Sequence, residues 1–177
     1  MPRTVRIGPG HGKLLLRTGR QGLAAQAGHD LTIEVTRWSG ELVLADELAE
    51  STLSVTADIG SLQVLHGKGG VKPLSEKDRR EIVTTARRVL GADRHPDAVF
   101  RSSRIVVHGD GGTVEGTLSL HGTERPVTLS VGHPSEDVYT VTGAVIQTEF
   151  GIKLYSAFLG ALKLADSVTV EAEIDVS

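Results

Sequence analysis

The residues with the most chemistry to offer are the seven histidines, one of them joined directly to an aspartate. His66, His108 and His121 each close an apolar run and stand before a glycine, as Leu65-His66-Gly67, Val107-His108-Gly109 and Leu120-His121-Gly122. A metal site needs several such side chains converging on one point. His108 and His121 end consecutive strands of one hairpin. Antiparallel neighbours end at opposite edges, so these two cannot share an ion. The plain reading is histidines at strand ends beside turns. His29-Asp30 is half of an acid–base site, but no Gly-x-Ser-x-Gly elbow supplies a nucleophile. His-Glu-x-x-His is absent, Gly67-Lys68 lacks the rest of a P-loop, and no Asp-rich calcium loop appears. There is no cysteine, which excludes disulfides, thiolate metal sites and cysteine nucleophiles. The expectation is a protein that is not an enzyme, with no catalytic residues, metal or cofactor.

Two segments could carry binding instead. His66-Gly67-Lys68-Gly69-Gly70-Val71-Lys72 combines glycines and lysines before a helix start. Backbone N–H groups and a helix N-terminus favour anions; the simpler reading is a flexible strand-to-helix connector. The run Phe150-Gly151-Ile152-Lys153-Leu154-Tyr155-Ser156-Ala157-Phe158-Leu159 gathers two of the three Phe and one of the two Tyr. It reads either as a greasy flap at a pocket mouth or as irregular structure packed on the core.

The elements that must position these residues are mostly strands. Leu31 to Val35, Leu53 to Ile59, Val114 to Leu120, Val127 to Val131 and Val168 to Val176 all alternate apolar with polar. That is the pattern of antiparallel sheet with one wet face. Gly109-Asp110-Gly111-Gly112 is a hairpin signal. Further turns are expected at Gly122-Thr123-Glu124-Arg125-Pro126 and Pro134-Ser135-Glu136-Asp137, making residues 98–149 a four-stranded meander. Ser75 to Leu90 has helical spacing instead, with Ile82, Val83, Ala86, Val89 and Leu90 apolar. Ser75 and Asp78 resemble a capping box, and Gly91 and Pro96 end the helix. Seven to nine strands with wet faces cannot hide their edges in one flat sheet, so a barrel or a two-sheet sandwich is expected.

The 177 residues amount to one domain, 1–177, and 39% of them are apolar. With 19 basic and 22 acidic residues the net charge is −3, which gives no grip on a polyanion, so no nucleic-acid partner is expected. Met1 to Gly10 contains no apolar export core, and no stretch is long and apolar enough to span a membrane. A soluble, cytoplasmic protein is the resulting expectation. A barrel seam could support a homodimer.

Four segments resemble one family. His95-Pro96-Asp97-Ala98-Val99-Phe100-Arg101-Ser102 is similar to its His/Tyr-Pro-x-x-x-Phe-x-Ser element. Leu118-Ser119-Leu120-His121-Gly122-Thr123-Glu124-Arg125-Pro126-Val127 resembles its Leu-x-x-His-Gly-x-x-x-Pro-Val segment. Phe150-Gly151-Ile152 and the closing strand Asp166 to Val176 complete the order over about residues 28–177. The family is the YceI-like, polyisoprenoid-binding proteins. The resemblance implies a lipocalin-like extended antiparallel β-barrel of about eight strands with one helix beside it. It also implies non-catalytic binding of a long isoprenoid or other amphiphilic lipid in an apolar channel. The chain departs from the family near His29, where Trp38 follows the strand without the usual longer stretch, shortening a region expected to line the mouth.

On that reading the candidate channel residues are Trp38, Leu42, Leu44, Phe100, Phe150, Leu154, Tyr155, Phe158 and Leu159. The candidate head-group residues are His29, Arg101, Arg104 and Lys153. Two rival readings are a filled barrel acting through protein contacts and an enzyme built on His29-Asp30. The first expects no cavity; the second expects polar groups converging on His29.

Overall fold

The computed structural model describes residues 1–22, 28–70, 72–157 and 162–177. Phe158 and Leu159 lie outside the described residues. The chain order is β1 (Arg3–Ile7), β2 (Gly12–Arg17), β3 (Arg20–Gln21), β4 (Asp30–Val35), β5 (Trp38–Leu44), β6 (Thr52–Asp58), β7 (Leu62–Lys68), α1 (Glu76–Val89), β8 (Asp97–His108), β9 (Gly111–Leu120), β10 (Thr123–Ser135), β11 (Val138–Ile146), β12 (Ser156–Ala157), β13 (Leu162–Leu164) and β14 (Ser167–Asp175). Eleven of these strands form one antiparallel ladder, ordered β1-β5-β6-β8-β9-β10-β11-β14-β2-β4-β7, and β12-β13-β3 form a small second sheet.

The ladder's two outermost strands do not pair with each other. Closure is covalent instead. Residues 3–17, 30–44 and 52–68 each run through two successive strands, joined by a turn at Gly8–His11, a bend at Thr36-Arg37 and a 3-10 turn at Ile59–Ser61, so that β5 lies between β1 and β6 while β4 lies between β2 and β7. The bend at Thr36-Arg37 is held by Ser61. The Thr36 amide and hydroxyl donate to the Ser61 carbonyl (3.0 and 2.8 Å), and the Arg37 amide donates to the Ser61 hydroxyl (3.0 Å). Counting each bent segment once, the ladder passes through eight continuous strands and returns to its start. This is the expected antiparallel barrel, cut into more segments than alternation alone suggested.

The meander over β8 to β11 is present. Each of its turns is shorter than expected: Gly109-Asp110 alone join β8 to β9, and Glu136-Asp137 alone join β10 to β11. His121 (φ 56°) and Gly122 (φ 73°) alone join β9 to β10, and Thr123 to Pro126 already belong to β10. Two successive residues at positive φ are the tight hairpin geometry that matches strand twist. Pro126 is tolerated because β10 has only β9 beside it there; pairing with β11 starts at Leu129.

The helix starts as its sequence dictates. Ser75 Oγ accepts from the Asp78 amide (3.1 Å) and Asp78 Oδ2 accepts from the Ser75 amide (3.0 Å), a complete capping box. Gly91 ends it at φ 66°. Ile82, Val83, Ala86 and Leu90 pack onto the cluster that includes Leu62 and Val64 of β7, so α1 lies against the edge strand that has no further neighbour. No helix among the described residues is long and apolar enough to cross a membrane.

Candidate functional site

Alternation sends one face of every strand inward. Leu14, Leu16, Ile33, Val55, Leu129, Val141 and Val170 all point to a common interior. That interior is hollow: a cavity of about 980 Å³ runs through the barrel. Its emptiness explains why inward leucines and valines such as Leu129, Val141 and Val170 are only half-buried. Two glycines let neighbouring side chains lie close against the wall. A Cβ at Gly116 would lie 2.5 Å from the Phe100 ring, and one at Gly143 would lie 2.6 Å from Leu129. Both are places where a neighbour's side chain leans over a bare backbone.

Among the sequence candidates, Trp38, Leu42, Leu44, Phe100 and Tyr155 line this cavity, and so does His29. Phe150 does not. It is 1% exposed and packs at the helix end against Ile59, Leu120 and Ile152, which themselves line the cavity. Leu154 and Lys153 do not line the cavity either, and Lys153 is exposed. Arg101 and Arg104 stand on the outer surface, where Arg104 approaches Glu115 (3.7 Å). Parity explains Arg101, since Phe100 faces in. Arg104 is turned out by a bulge between Ser102 and Arg104, which restores Ile105 to the inner face. Most of the wall is aliphatic and lies beyond these candidates. Leu14, Leu53, Val131, Val168 and Ile174 line it too, and their signal was the alternation itself.

The cavity has two different ends. At the hairpin end its rim includes Leu48 (51% exposed), Val107 (45% exposed) and the turn Gly109-Asp110. His133 stacks on Tyr139 there (4.4 Å between rings). At the helix end the lining turns polar, with Thr18, Arg20, His29, Asp78, Glu81 and Thr85. Tyr155 (45% exposed) joins this end from the segment that leads into β12.

The helix-end polar groups have partners of their own. Arg20 Nε meets Asp30 Oδ1 at 3.0 Å, and its guanidinium also donates to the Gly28 carbonyl. His29 Nε2 donates to the Lys72 carbonyl (2.7 Å). His29 and Asp30 thus serve two separate contacts rather than one acid–base pair. Hydrogen bonds from Ser75, backbone first, hold the Asp78 carboxyl below its ordinary range. Asp166 fixes the turn that starts at Gln147, accepting from the Thr148 hydroxyl (2.6 Å) and amide (2.8 Å), and these bonds lower its pKa. Gln147 in turn donates to the Ala165 carbonyl (3.1 Å). At the same end the His95 and His121 rings meet edge-on (5.9 Å), and His121 Nδ1 lies 3.1 Å from the Phe150 carbonyl. Among the described residues no three His, Asp or Glu side chains gather where a metal could bind.

Comparison with known proteins follows the same lines. Residues 11–176 match a family model described as the YceI-like domain. Burkholderia cenocepacia BcnA is similar in structure, with TM-score 0.65 and 17% identity over 94% of this chain and 96% of that one. A polyisoprenoid binding domain from Saccharophagus degradans, implicated in plant cell wall breakdown, aligns with TM-score 0.57 and 13% identity over 98% of each chain. The Campylobacter jejuni YCEI protein aligns with TM-score 0.62 and 14% identity over 81% of this chain and 82% of that one. At such identities the likeness is one of fold. A search of curated proteins returns no match.

Proposed function

The chain belongs to the YceI-like domain family, and from that premise we propose that it binds and carries an elongated isoprenoid or comparable long-chain amphiphile inside its barrel. The observation that carries this reading is the hollow interior of about 980 Å³, walled by aliphatic side chains from every strand of the barrel. That volume lies at the upper end of the ~300–1,000 Å³ typical of ligand sites. A tail needs no catalytic group to be held. Each methylene taken out of water contributes about 0.8 kcal/mol, so ten contribute roughly 8 kcal/mol, offset by several kcal/mol of ordering. Affinity then follows tail length, and the polar mouth selects among heads. The polyisoprenoid-binding description of the Saccharophagus degradans neighbour supports the same ligand class.

The test is native mass spectrometry of the purified protein, followed by solvent extraction and lipid analysis. The expected result is a discrete added mass that extracts as an isoprenoid or fatty amphiphile. A bare protein mass that also takes up no added prenyl lipid overturns the proposal and redirects the search to a protein partner. His29→Ala is expected to leave uptake largely intact, because the tail supplies most of the affinity.

A further inference from the structure

Residues 66–72 and the start of α1 read in the sequence as an anion site, yet the folded chain has consumed its parts. The helix N-terminus is occupied, since Ser75 and Asp78 satisfy each other's amides and Glu76 adds a second carboxylate in the first turn. The glycine loop is filled. Gly69 and Gly70 take φ of 84° and 75°, but a Cβ on Gly69 would lie 2.7 Å from the Arg20 guanidinium, and one on Gly70 2.5 Å from the His29 ring. Arg20 is itself paired with Asp30. Lys68 and Lys72 are exposed and do not line the cavity.

At this end the cavity faces Asp78, Glu81, Thr18, Thr85, His29 and Arg20, whose guanidinium is already paired with Asp30. Asp78 and Glu81 bring two carboxylates, one oxygen of Asp78 accepting from the Ser75 amide and Glu81 lying 4.0 Å from Lys77, and Asp110 brings a third at the hairpin end. Among the described lining residues the only Lys or Arg is Arg20. His29 Nε2 is already engaged by the Lys72 carbonyl. A phosphate or carboxylate brought here offers only acceptors, meets like charge and loses hydration beside an apolar wall. A hydroxyl or an ammonium finds oxygen acceptors already in place.

We propose that the amphiphile bound by this barrel has a head group that donates hydrogen bonds and bears no negative charge, and that the helix-end mouth excludes anionic heads. This rests on the reading that the tail occupies the barrel.

Trp38, the only tryptophan, lines the cavity and reports its occupancy. Its fluorescence is titrated with geranylgeraniol, geranylgeranylamine and geranylgeranyl diphosphate, which share one tail. The expected result is that the alcohol and the amine bind at least about tenfold tighter than the diphosphate, and that Glu81→Lys narrows that gap. Diphosphate binding as tight as the alcohol overturns the head-group proposal and leaves the tail reading standing. No response to any of the three overturns both.

Discussion

Two groups of apolar residues in this molecule have different duties. Around Leu129, Val141 and Val170 the side chains border open space and are only half-buried. Around Phe150 they touch: Phe150 is 1% exposed, and Ile59, Leu120 and Ile152 stand between it and the cavity they border. The difference teaches what holds a hollow barrel together. The wall contributes through its ladder and through partial burial, while the solid corner beneath α1 contributes close packing. The corner also braces the end at which α1 covers the edge of β7.

Mutations at equivalent residue types put that contrast to the test. Phe150→Ala should be the most damaging, at about 3–5 kcal/mol, because it opens a void in a packed cluster. Urea unfolding measures it. Gly116→Val should follow at about 1–3 kcal/mol, since the new side chain drives into the Phe100 ring and the Arg101 carbonyl. A stability within error of the parent would mean that Phe100 swings freely into the cavity. Leu129→Ala should cost only about 1 kcal/mol, because the space it leaves is continuous with space already there. If it costs as much as Phe150→Ala, the wall is packed rather than hollow.

Val141→Phe sharpens the comparison from the other side. The ring has room to enter, so the melting temperature should hold while prenyl uptake falls about tenfold or more. Unchanged uptake with the fold preserved would show that the tail bypasses this part of the wall. The smallest effect belongs to Asp166→Asn and is read as a pH dependence. Hydrogen bonds from Thr148 lower the folded pKa of Asp166, so its contribution is present above the unfolded value of about 4. That contribution disappears as pH falls through the lowered folded value. The gap in melting temperature between parent and variant should therefore close in acid; a gap that persists refutes the assignment.

The sequence was most legible where one rule acted alone. Period-two alternation located β9, β10 and β14, and the Ser75–Asp78 box located the first turn of α1. The bent strands were harder to see. The break at Thr36-Arg37 depends on Ser61, a partner distant in sequence, and no local residue announces it. The site was legible in chemical class and less so in residue. Parity correctly makes Arg101 an outward partner of inward Phe100, but the bulge that turns Arg104 outward is a property of two strands together. Phe150 is a channel candidate in sequence yet lies off the cavity lining, packed against Ile59, Leu120 and Ile152. Whether inward side chains meet or leave a gap depends on the barrel's radius, which pairing across the whole ladder decides.

The ladder also sets a timetable for synthesis. β2 needs β14 as its neighbour, so Leu14 to Leu16 wait for Val170 to Ala172, which are made far later. Until then the growing chain holds a curled sheet with its apolar face uncovered, the kind of long-range pairing that folds slowly. The container comes into existence only when its last wall arrives. Any cargo that enters before that moment is enclosed by folding itself, and any that enters afterwards must pass a mouth.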